Sequence, residues 1–291
     1  MRHYFCGWYF KLQSQSQTMA LVVAYNRAGK QETVSLQVIT DDYVGAAEYP
    51  VGEYRKAGTG FDIKLGANRF SCEGIHLDIH QDNFELNGDV SFGPWTAIDG
   101  DIMGPFRFVP FMQCRHEVLS AYHDVDGILT LNGETYDFTS AKGYVEGDRG
   151  YSFPSVYLWT QCLFDGGSLF LSVADIPFGL FRFTGIIGFV FLNGKEYRLA
   201  TYKGGKATDI KDGGCRITQG DTTFTAQLLR KNDHPLQVPM QGSMSRTIRE
   251  SASCTAHYTF SSGGKLLLDL TTDKASFEFE FGDETSGIHK L

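Results

Sequence analysis

The sequence predicts an all-β fold, and three observations support this prediction. Glycine is abundant at 33 of 291 residues, and Phe and Tyr contribute 23 and 14 more, a composition that favours turns and strands. The tripeptide Leu-Asn-Gly occurs three times between strand-like runs, and Asn-Gly favours the type I′ hairpin turn, which needs positive φ at both positions. No window combines a sustained helical period with capping residues.

Alternating residues predict a strand near the start of the chain, where Trp8 and Phe10 alternate with Tyr9 and Lys11. Such alternation is typical of a half-buried strand. Two further strand-like runs are Thr18 to Tyr25 and Thr33 to Thr40, and the glycine-rich stretch after them, Asp41 to Thr59, predicts a long loop. Three hairpin turns are expected at Asn87-Gly88, Asn132-Gly133 and Asn193-Gly194. One short helix could lie in the segment Pro105 to Tyr122.

A weak internal repeat predicts two similar β-rich domains. Asp62 and Arg69 recur as Asp209 and Arg216, each pair with the same spacing and half a chain apart. Repetition at this length indicates duplication of a whole domain rather than a short solenoid repeat. We therefore expect an N-terminal domain over residues 1–141 and a C-terminal domain over residues 142–291.

Composition excludes some partners. The formal charge of −8, from 26 basic and 34 acidic residues, argues against nucleic acid, which needs a concentrated basic surface. The N-terminus lacks a signal sequence, and the most apolar region is interrupted by Asp175, Pro177 and Arg182, so no transmembrane segment is expected. Six dispersed cysteines without CxxC spacing suit a cytoplasmic protein with reduced thiols. Transient membrane contact and the oligomeric state are left open.

The stretch from Lys142 to Phe164 contains acidic, basic, aromatic and amide side chains close together in sequence. Tyr157, Trp159 and Gln161 lie on one face of a predicted strand, which would suit a pocket wall, although a core Trp at a domain junction explains the pattern equally well. Glu146 and Asp148, in an expected charged loop, could divide acid and base roles if burial separated their pKa values. The adjacent Arg149 is expected to pair with one of these carboxylates.

Two histidines lie seven residues apart, and a regular strand would place them on opposite faces. His116 would share a face with Cys114, and His123 would enter the same cavity only through a bulge. Surface or satisfied core positions explain such histidines more often than catalysis does. The sequence contains no nucleotide-binding or metal-ligand motif, so neither a metal nor a cofactor is expected.

Several of these residues form one extended motif. The matching positions are Gly143, Tyr144, Val145, Glu146, Asp148, Gly150, Ser152, Phe153, Pro154, Tyr157, Trp159 and Gln161, together with Gly7-Trp8-Tyr9-Phe10 near the start. This pattern resembles the signature of the tocopherol cyclase family and its bacterial relatives, GYIExDWGxSFPxxWxWxQ. That family is similar, more distantly, to carotenoid hydratases and to tandem lipocalin-like proteins.

The resemblance implies two tandem lipocalin-like antiparallel β-barrels or sandwiches with an apolar cleft. It also implies acid-catalysed ring closure on a prenylated substrate, which needs a positioned acid and aromatic faces but no metal or redox cofactor. Arg149 stands where the motif has Trp. A cation fixed beside Asp148 is expected to disfavour a carbocation nearby.

We therefore expect a protein that binds a hydrophobic, prenylated or polycyclic small molecule. Whether it also catalyses cofactor-free cyclisation, hydration or isomerisation, or is a non-catalytic carrier, is left open; a carbohydrate-binding module with exposed aromatics such as Trp95 is a third alternative. The expected catalytic residues are Asp148 or Glu146 as proton donor and His116 as base or orienting partner. The expected ligand-binding residues are Trp8, Tyr144, Arg149, Tyr157, Trp159 and Gln161.

Overall fold

The all-β prediction is confirmed by the structure, a computed structural model that describes residues 3–81, 84–110, 112–178, 181–231, 234–240 and 243–281. The strands in chain order are β1 (Tyr4–Gln13), β2 (Thr18–Ala28), β3 (Gln31–Ile39), β4 (Val44–Tyr49), β5 (Tyr54–Lys56), β6 (Asp62–Leu65), β7 (Asn68–Ser71), β8 (Gly74–His80), β9 (Glu85–Phe92), β10 (Cys114–Leu131), β11 (Glu134–Asp137), β12 (Ala141–Gly150), β13 (Tyr157–Phe164), β14 (Gly167–Phe178), β15 (Phe181–Leu192), β16 (Lys195–Ala200), β17 (Lys206–Lys211), β18 (Gly214–Gln219), β19 (Thr222–Arg230), β20 (His234–Met240), β21 (Ser243–Ser262) and β22 (Lys265–Phe279). Short 3₁₀ helices span Val51–Glu53, Gly104–Phe108 and Thr201–Lys203.

The first sheet has twelve strands in the order β4-β3-β2-β1-β12-β10-β9-β8-β7-β6-β5, with β11 paired to β10. The strand pairs within it are antiparallel. A meander from β1 to β4 forms one side, and the last strand, β12, returns to pair with the first. This return brings the central carboxylates beside the N-terminal strand.

The second sheet repeats this arrangement. Its ten strands run in the order β16-β15-β14-β13-β22-β21-β19-β18-β17, with β20 paired to β21. Again a four-strand meander starts the sheet, and the last strand pairs with the first, here β22 with β13. The repeated acid and base also form the same ion pair in each sheet, Asp62 with Arg69 at 2.8 Å and Asp209 with Arg216 at 3.5 Å.

Two of the three predicted Asn-Gly turns lie where expected. Asn132 and Gly133 join β10 to β11 with φ of 53° and 83°, and Asn193 and Gly194 join β15 to β16 with φ of 51° and 77°. The third prediction is wrong. Gly88 lies inside β9, opposite Leu129, where a Cβ atom would be 2.3 Å from the carbonyl oxygen of Ile128, so a close backbone approach, not a turn, requires glycine there.

Two less regular segments also differ from expectation. The predicted long loop between residues 41 and 59 contains β4, a 3₁₀ helix and β5. The segment that could hold a helix forms only the 3₁₀ turn Gly104–Phe108, and β10 begins at Cys114. Both segments carry enough strand-compatible residues to pair in the first sheet, with β4 and β5 at its two edges and β10 between β9 and β12, and this non-local pairing overrides the local sequence pattern.

The chain forms two compact units, Met1–Phe153 with His234–Thr247 and Pro154–Asp233 with Ile248–Leu291. The first unit continues past the expected boundary at 141 because β12 pairs with β1 and β10. Each unit has its own buried hydrophobic core: Phe10, Leu36 and Val145 belong to the first, and Leu158, Leu171 and Phe260 to the second. Among the described residues, no helix is long and apolar enough to span a membrane.

Candidate functional site

Glu146 and Asp148 lie in strand β12 and not in a loop as expected, and the alternation of this strand places the residues of the central motif on two faces. Val145 belongs to the hydrophobic core of the first unit, so Tyr144, Glu146 and Asp148 lie on the opposite face of the same strand. Glu146 is 4% exposed, and the Asp148 side chain retains 20% exposure. Three polar side chains in successive positions of one face therefore form a buried cluster that opens to solvent at Asp148.

Strand β10 adds an imidazole to this cluster. His116 pairs directly with Asp148 in the β10–β12 register, which places both side chains on the same face. Nδ1 of His116 lies 3.0 Å from Oδ1 of Asp148, and Nε2 lies 3.3 Å from Oε2 of Glu146. The structure thus brings together the three residues expected to be catalytic, with the imidazole between the two carboxylates.

Two neighbouring groups complete the hydrogen bonding. The hydroxyl of Tyr144 donates to Oε2 of Glu146 at 2.7 Å, and the thiol of Cys114 donates to Oδ1 of Asp148 at 3.1 Å. Burial, together with Glu146, raises the pKa of Tyr144 well above its usual value, and burial with Asp148 does the same for Cys114. Both groups therefore stay protonated and act as donors.

The imidazole of His116 carries a proton at neutral pH. Burial alone lowers its pKa, but Asp148 and Glu146 outweigh burial and raise the pKa to about 10. An imidazolium hydrogen-bonded to an ionised partner forms a charge-assisted bond, which is shorter and stronger than a neutral one. His116 is thus suited to hold and orient a proton, not to act as a free base.

The second histidine of β10 belongs to a different environment. The β10–β12 register shifts between Val118 and Ser120 and again between Ser120 and His123. The two shifts together leave His123 opposite Gly143, on the other face of the strand from His116. His123 stacks edge-on against Phe92, with ring centroids 4.5 Å apart. It does not join the carboxylate cluster.

Arg149 does not pair with either central carboxylate, so that prediction is wrong. Strand alternation turns it to the face opposite Asp148, where its Nη1 lies 3.6 Å from Oε2 of Glu117 and the side chain is half exposed. The expected repulsion between this cation and a carbocation near Asp148 therefore loses its structural basis.

Trp8 also lies apart from the cluster. It is 1% exposed and packs in the hydrophobic core of the first unit, with Lys56 Nζ 4.5 Å from its ring centroid. It pairs with Gly147, where a Cβ would lie 3.0 Å from Cδ1 of the indole. Gly147 thus makes room for a core Trp directly behind the two carboxylates.

None of the three tryptophans forms the exposed platform that the carbohydrate-binding alternative expects of them. Trp8 and Trp159 are 1% and 7% exposed. Trp95 packs against Phe61 at 5.3 Å and against His123 at 5.9 Å between ring centroids. A flat sugar-binding surface would leave such rings facing solvent.

The remaining expected ligand-binding residues belong to β13 in the second unit. Leu158 and Cys162 face its hydrophobic core, so Tyr157, Trp159 and Gln161 share the other face, and all three are buried. The hydroxyl of Tyr157 donates to Oε2 of Glu278. The amide of Gln161 is fully buried, and neither its nitrogen nor its oxygen has a hydrogen-bond partner among the described residues.

The cluster also has the composition of a metal site. His116, Glu146 and Asp148 each offer one ligand atom, and these atoms lie within 4.8 Å of one another. Imidazole with two carboxylates suits divalent first-row metals. Each imidazole nitrogen already faces a carboxylate, so an ion bound here would displace the contacts that hold His116.

Sequence reasoning missed the contribution of β1 to this face. In the β1–β12 register, Gly7 lies opposite Asp148, Tyr9 opposite Glu146 and Lys11 opposite Tyr144. Lys11 is fully buried and Tyr9 is 9% exposed, so β1 is buried on both faces and not half-buried as expected. Lysine is rarely fully buried, so the sequence gives no reason to expect Lys11 in the interior. The pairing of β1 with β12 places it there.

Solved structures with the same fold span nearly the whole chain. An AttH-like protein from Nitrosomonas europaea has a TM-score of 0.54 at 13% identity, with 96% of this chain and 92% of that chain covered. CghA has a TM-score of 0.65 at 9% identity, covering 97% and 89%, and was also solved with Sch210972. Kievitone hydratase from Nectria haematococca has a TM-score of 0.53 at 12% identity, covering 96% and 89%.

No protein-family model and no curated protein matches the sequence. Identities of 9–13% establish the fold and not the activity. Membership of the tocopherol cyclase family is therefore not shown. The fold expected from that resemblance is confirmed: the protein is similar to tandem lipocalin-like β proteins.

Proposed function

We propose that this protein binds a hydrophobic small molecule and transfers a proton to and from it at the cluster of His116, Glu146 and Asp148. The observation that carries this proposal is the buried imidazole held between two carboxylates, 3.0 Å from Asp148 and 3.3 Å from Glu146. Perturbed titratable groups of this kind concentrate at functional sites. The reaction class is cofactor-free cyclisation, hydration or isomerisation.

The chemistry requires a single exchangeable proton. In the acid step, the proton of the His116–Asp148 pair passes to a carbon of a substrate double bond, whose π electrons form the new C–H bond and leave a carbocation. An oxygen nucleophile then adds to the cation, from the substrate itself in cyclisation or from water in hydration. Its O–H proton returns to the pair, so no oxidant or reductant is consumed.

The partly exposed carboxyl of Asp148 makes it the better candidate for contact with the substrate. Its Oδ1 accepts hydrogen bonds from Cys114 and His116, whereas Oδ2 makes no hydrogen bond or ion pair among the described residues. Glu146 is more deeply buried and accepts a bond from Tyr144, which suits it to stabilise positive charge. His116 acts as a positioning residue and proton reservoir for both.

The name of one similar structure agrees with this reaction class, and that of another names a bound compound. One is a hydratase of kievitone, and CghA was solved with Sch210972. These names describe those proteins; for this chain they support a site for a small organic molecule on the same fold.

The test measures turnover of a prenylated hydroquinone by the wild type, Asp148→Asn and Glu146→Gln. We expect Asp148→Asn to lower kcat by about 100-fold or more, since positioned acid–base groups contribute ~10²–10⁴-fold. The activity of the wild type should also fall above about pH 10 as His116 loses its proton. Turnover that is unchanged in both variants would rule out the proton-transfer role.

A carrier without catalysis is the second candidate, and the unpartnered buried amide of Gln161 favours it, because such an amide can bind a ligand group without any chemistry. Native mass spectrometry detects the bound molecule, and chromatography of the molecule released on denaturation, which resolves isomers, separates the two functions. A molecule recovered unchanged after incubation supports the carrier, and a product isomeric with or one water heavier than the added molecule supports the enzyme.

A further inference from the structure

We propose that Asn26 and Ser35 form a polar anchor for the substrate, and that Gly7 and Ala24 form the floor between this anchor and the reacting carboxylate. This inference rests on the proposed function, since it names the substrate class of the same site. The substrate would be an apolar molecule that carries a neutral head group able both to donate and to accept hydrogen bonds, a carboxamide being the simplest match.

The strand registers place these residues in line. Asp148 pairs with Gly7, Gly7 with Ala24 and Ala24 with Ser35, so one row crosses β12, β1, β2 and β3 on the face that holds the cluster. Asn26 lies two residues beyond Ala24 on β2, beside Phe5. From a strand spacing of ~4.8 Å and a rise of ~3.3 Å per residue, the Cα atoms of Asn26 and Asp148 lie about 12 Å apart.

Asn26 carries the strongest evidence for a missing partner. It is 1% exposed, and both its amide nitrogen and its carbonyl oxygen lack a hydrogen-bond partner among the described residues. Ser35, on the adjacent strand, is 9% exposed with an unpartnered hydroxyl. Buried polar groups are nearly always satisfied, so two unsatisfied neighbours on the face of the acid cluster point to a group that binds there.

A second buried asparagine of the same unit has hydrogen-bond partners for both of its side-chain polar atoms. Asn68 is also 1% exposed, but its amide nitrogen donates to the Tyr49 hydroxyl and the Leu65 carbonyl, both at 2.9 Å. Its carbonyl oxygen accepts from the backbone of Asp78 at 2.9 Å. The lack of partners at Asn26 is therefore not a general property of buried amides in this sheet.

Backbone packing does not explain why position 7 is a glycine. A Cβ atom at Gly7 would meet only ordinary contacts, 3.5 Å from the Val23 carbonyl oxygen and 3.8 Å from Cβ of Ala24. Gly7 does not have positive φ, so the backbone does not require glycine. Gly7 has no side chain and Ala24 only a methyl group in the row that ends at Asp148, and an apolar chain laid along them would connect the head group to the carboxylate.

The chemistry of Asn26 selects the head group. An asparagine side chain presents one acceptor and two donors without charge, so a carboxamide can exchange a pair of hydrogen bonds with it. An ester of the same length can accept but not donate. A buried site built to hydrogen-bond one group rejects an analogue that lacks it, because its own polar atoms are then left unpaired.

The experiment compares binding of decanamide and methyl decanoate, matched in chain length, by titration calorimetry. In the wild type we expect decanamide to bind more tightly, and Asn26→Leu to reduce the ratio of the two affinities by about tenfold or more. Asn68→Leu serves as the matched control and should keep the ratio. Gly7→Leu should weaken both probes together, because its side chain fills the floor.

Melting temperature provides a second readout. Asn26→Leu should raise it or leave it unchanged, because it removes an unsatisfied buried amide, whereas Asn68→Leu should lower it by breaking three hydrogen bonds. An unchanged affinity ratio in Asn26→Leu, or a loss of melting temperature equal to that of Asn68→Leu, would overturn the proposal. Since neither probe reacts, a failure of proton transfer at Asp148 would leave the preference for decanamide intact, and the two proposals fail separately.

Discussion

At the scale of single residues, the two histidines of β10 show how partners decide protonation. His116 lies between two carboxylates, and its pKa rises to about 10. His123 lies among aromatic rings, and burial lowers its pKa to about 4 against a weaker opposing effect of Asp124. Seven residues apart on one strand, one imidazole is kept charged and the other neutral. Only the first is suited to proton transfer at neutral pH.

The neutral state of His123 should make the protein sensitive to acid. An unfolded His123 takes up a proton below about pH 6.5, whereas the folded one does so only near pH 4. The free energy of unfolding should therefore fall as the pH drops from about 6.5 to 4. Urea denaturation at several pH values should show this loss in the wild type and a smaller loss in His123→Phe.

The exposed His80 supplies the control, because its side chain is 63% exposed. His80→Gln should keep the acid dependence of the wild type. If His123→Phe lost stability with acid as steeply as the wild type, the loss would have to come from other groups, and the buried imidazole would not be its cause.

At the scale of elements, the pairing of β10 with β12 builds both the cluster and the aromatic pocket of His123. Gly143 pairs with His123, and a Cβ at this position would lie 2.4 Å from Nε2 of the imidazole. The same strand presents Tyr144, Glu146 and Asp148 on its other face. The glycine at one end of β12 and the acid cluster at the other thus both face β10, on either side of the two register shifts.

Gly143→Ala should destabilise the protein by about 1–3 kcal/mol, the usual range for overpacking a core. The matched substitution Gly7→Ala, also in a strand of the first sheet, meets no contact shorter than 3.5 Å and should change the free energy of unfolding by less than ~1 kcal/mol. Chemical denaturation of both variants measures the difference. Equal effects would show that the imidazole of His123 can move aside.

At the scale of the whole molecule, two sheets have similar topology, but the described cluster of titratable residues lies in the first one. Each sheet starts with a four-strand meander and closes its first strand against its last, and each carries the ion pair of the repeated acid and base. Because these pairs are exposed to solvent, they contribute little to stability. Among the described residues, the cluster of His, Glu and Asp occurs in the first unit, so the repeated architecture does not imply a repeated site.

The net charge of −8 leads to a prediction about partners. We expect no binding to duplex DNA or to vesicles containing phosphatidylserine at 50 mM salt, since both surfaces are anionic and repel a protein of the same sign. Gel shift and vesicle sedimentation test this. Retention that weakens with added salt would indicate a local basic surface that the net charge conceals.

Sequence alone determined the all-β class and two of the three Asn-Gly turns, because these follow from composition and turn chemistry. Tertiary structure decided which partners meet. His116 and Asp148 come together across the β10–β12 register, Arg149 faces away, and Asn26 and Gly7 share the face of the cluster only because β1 lies between β2 and β12. Strand order and register depend on hydrogen bonds and burial between distant segments, which local pattern does not encode.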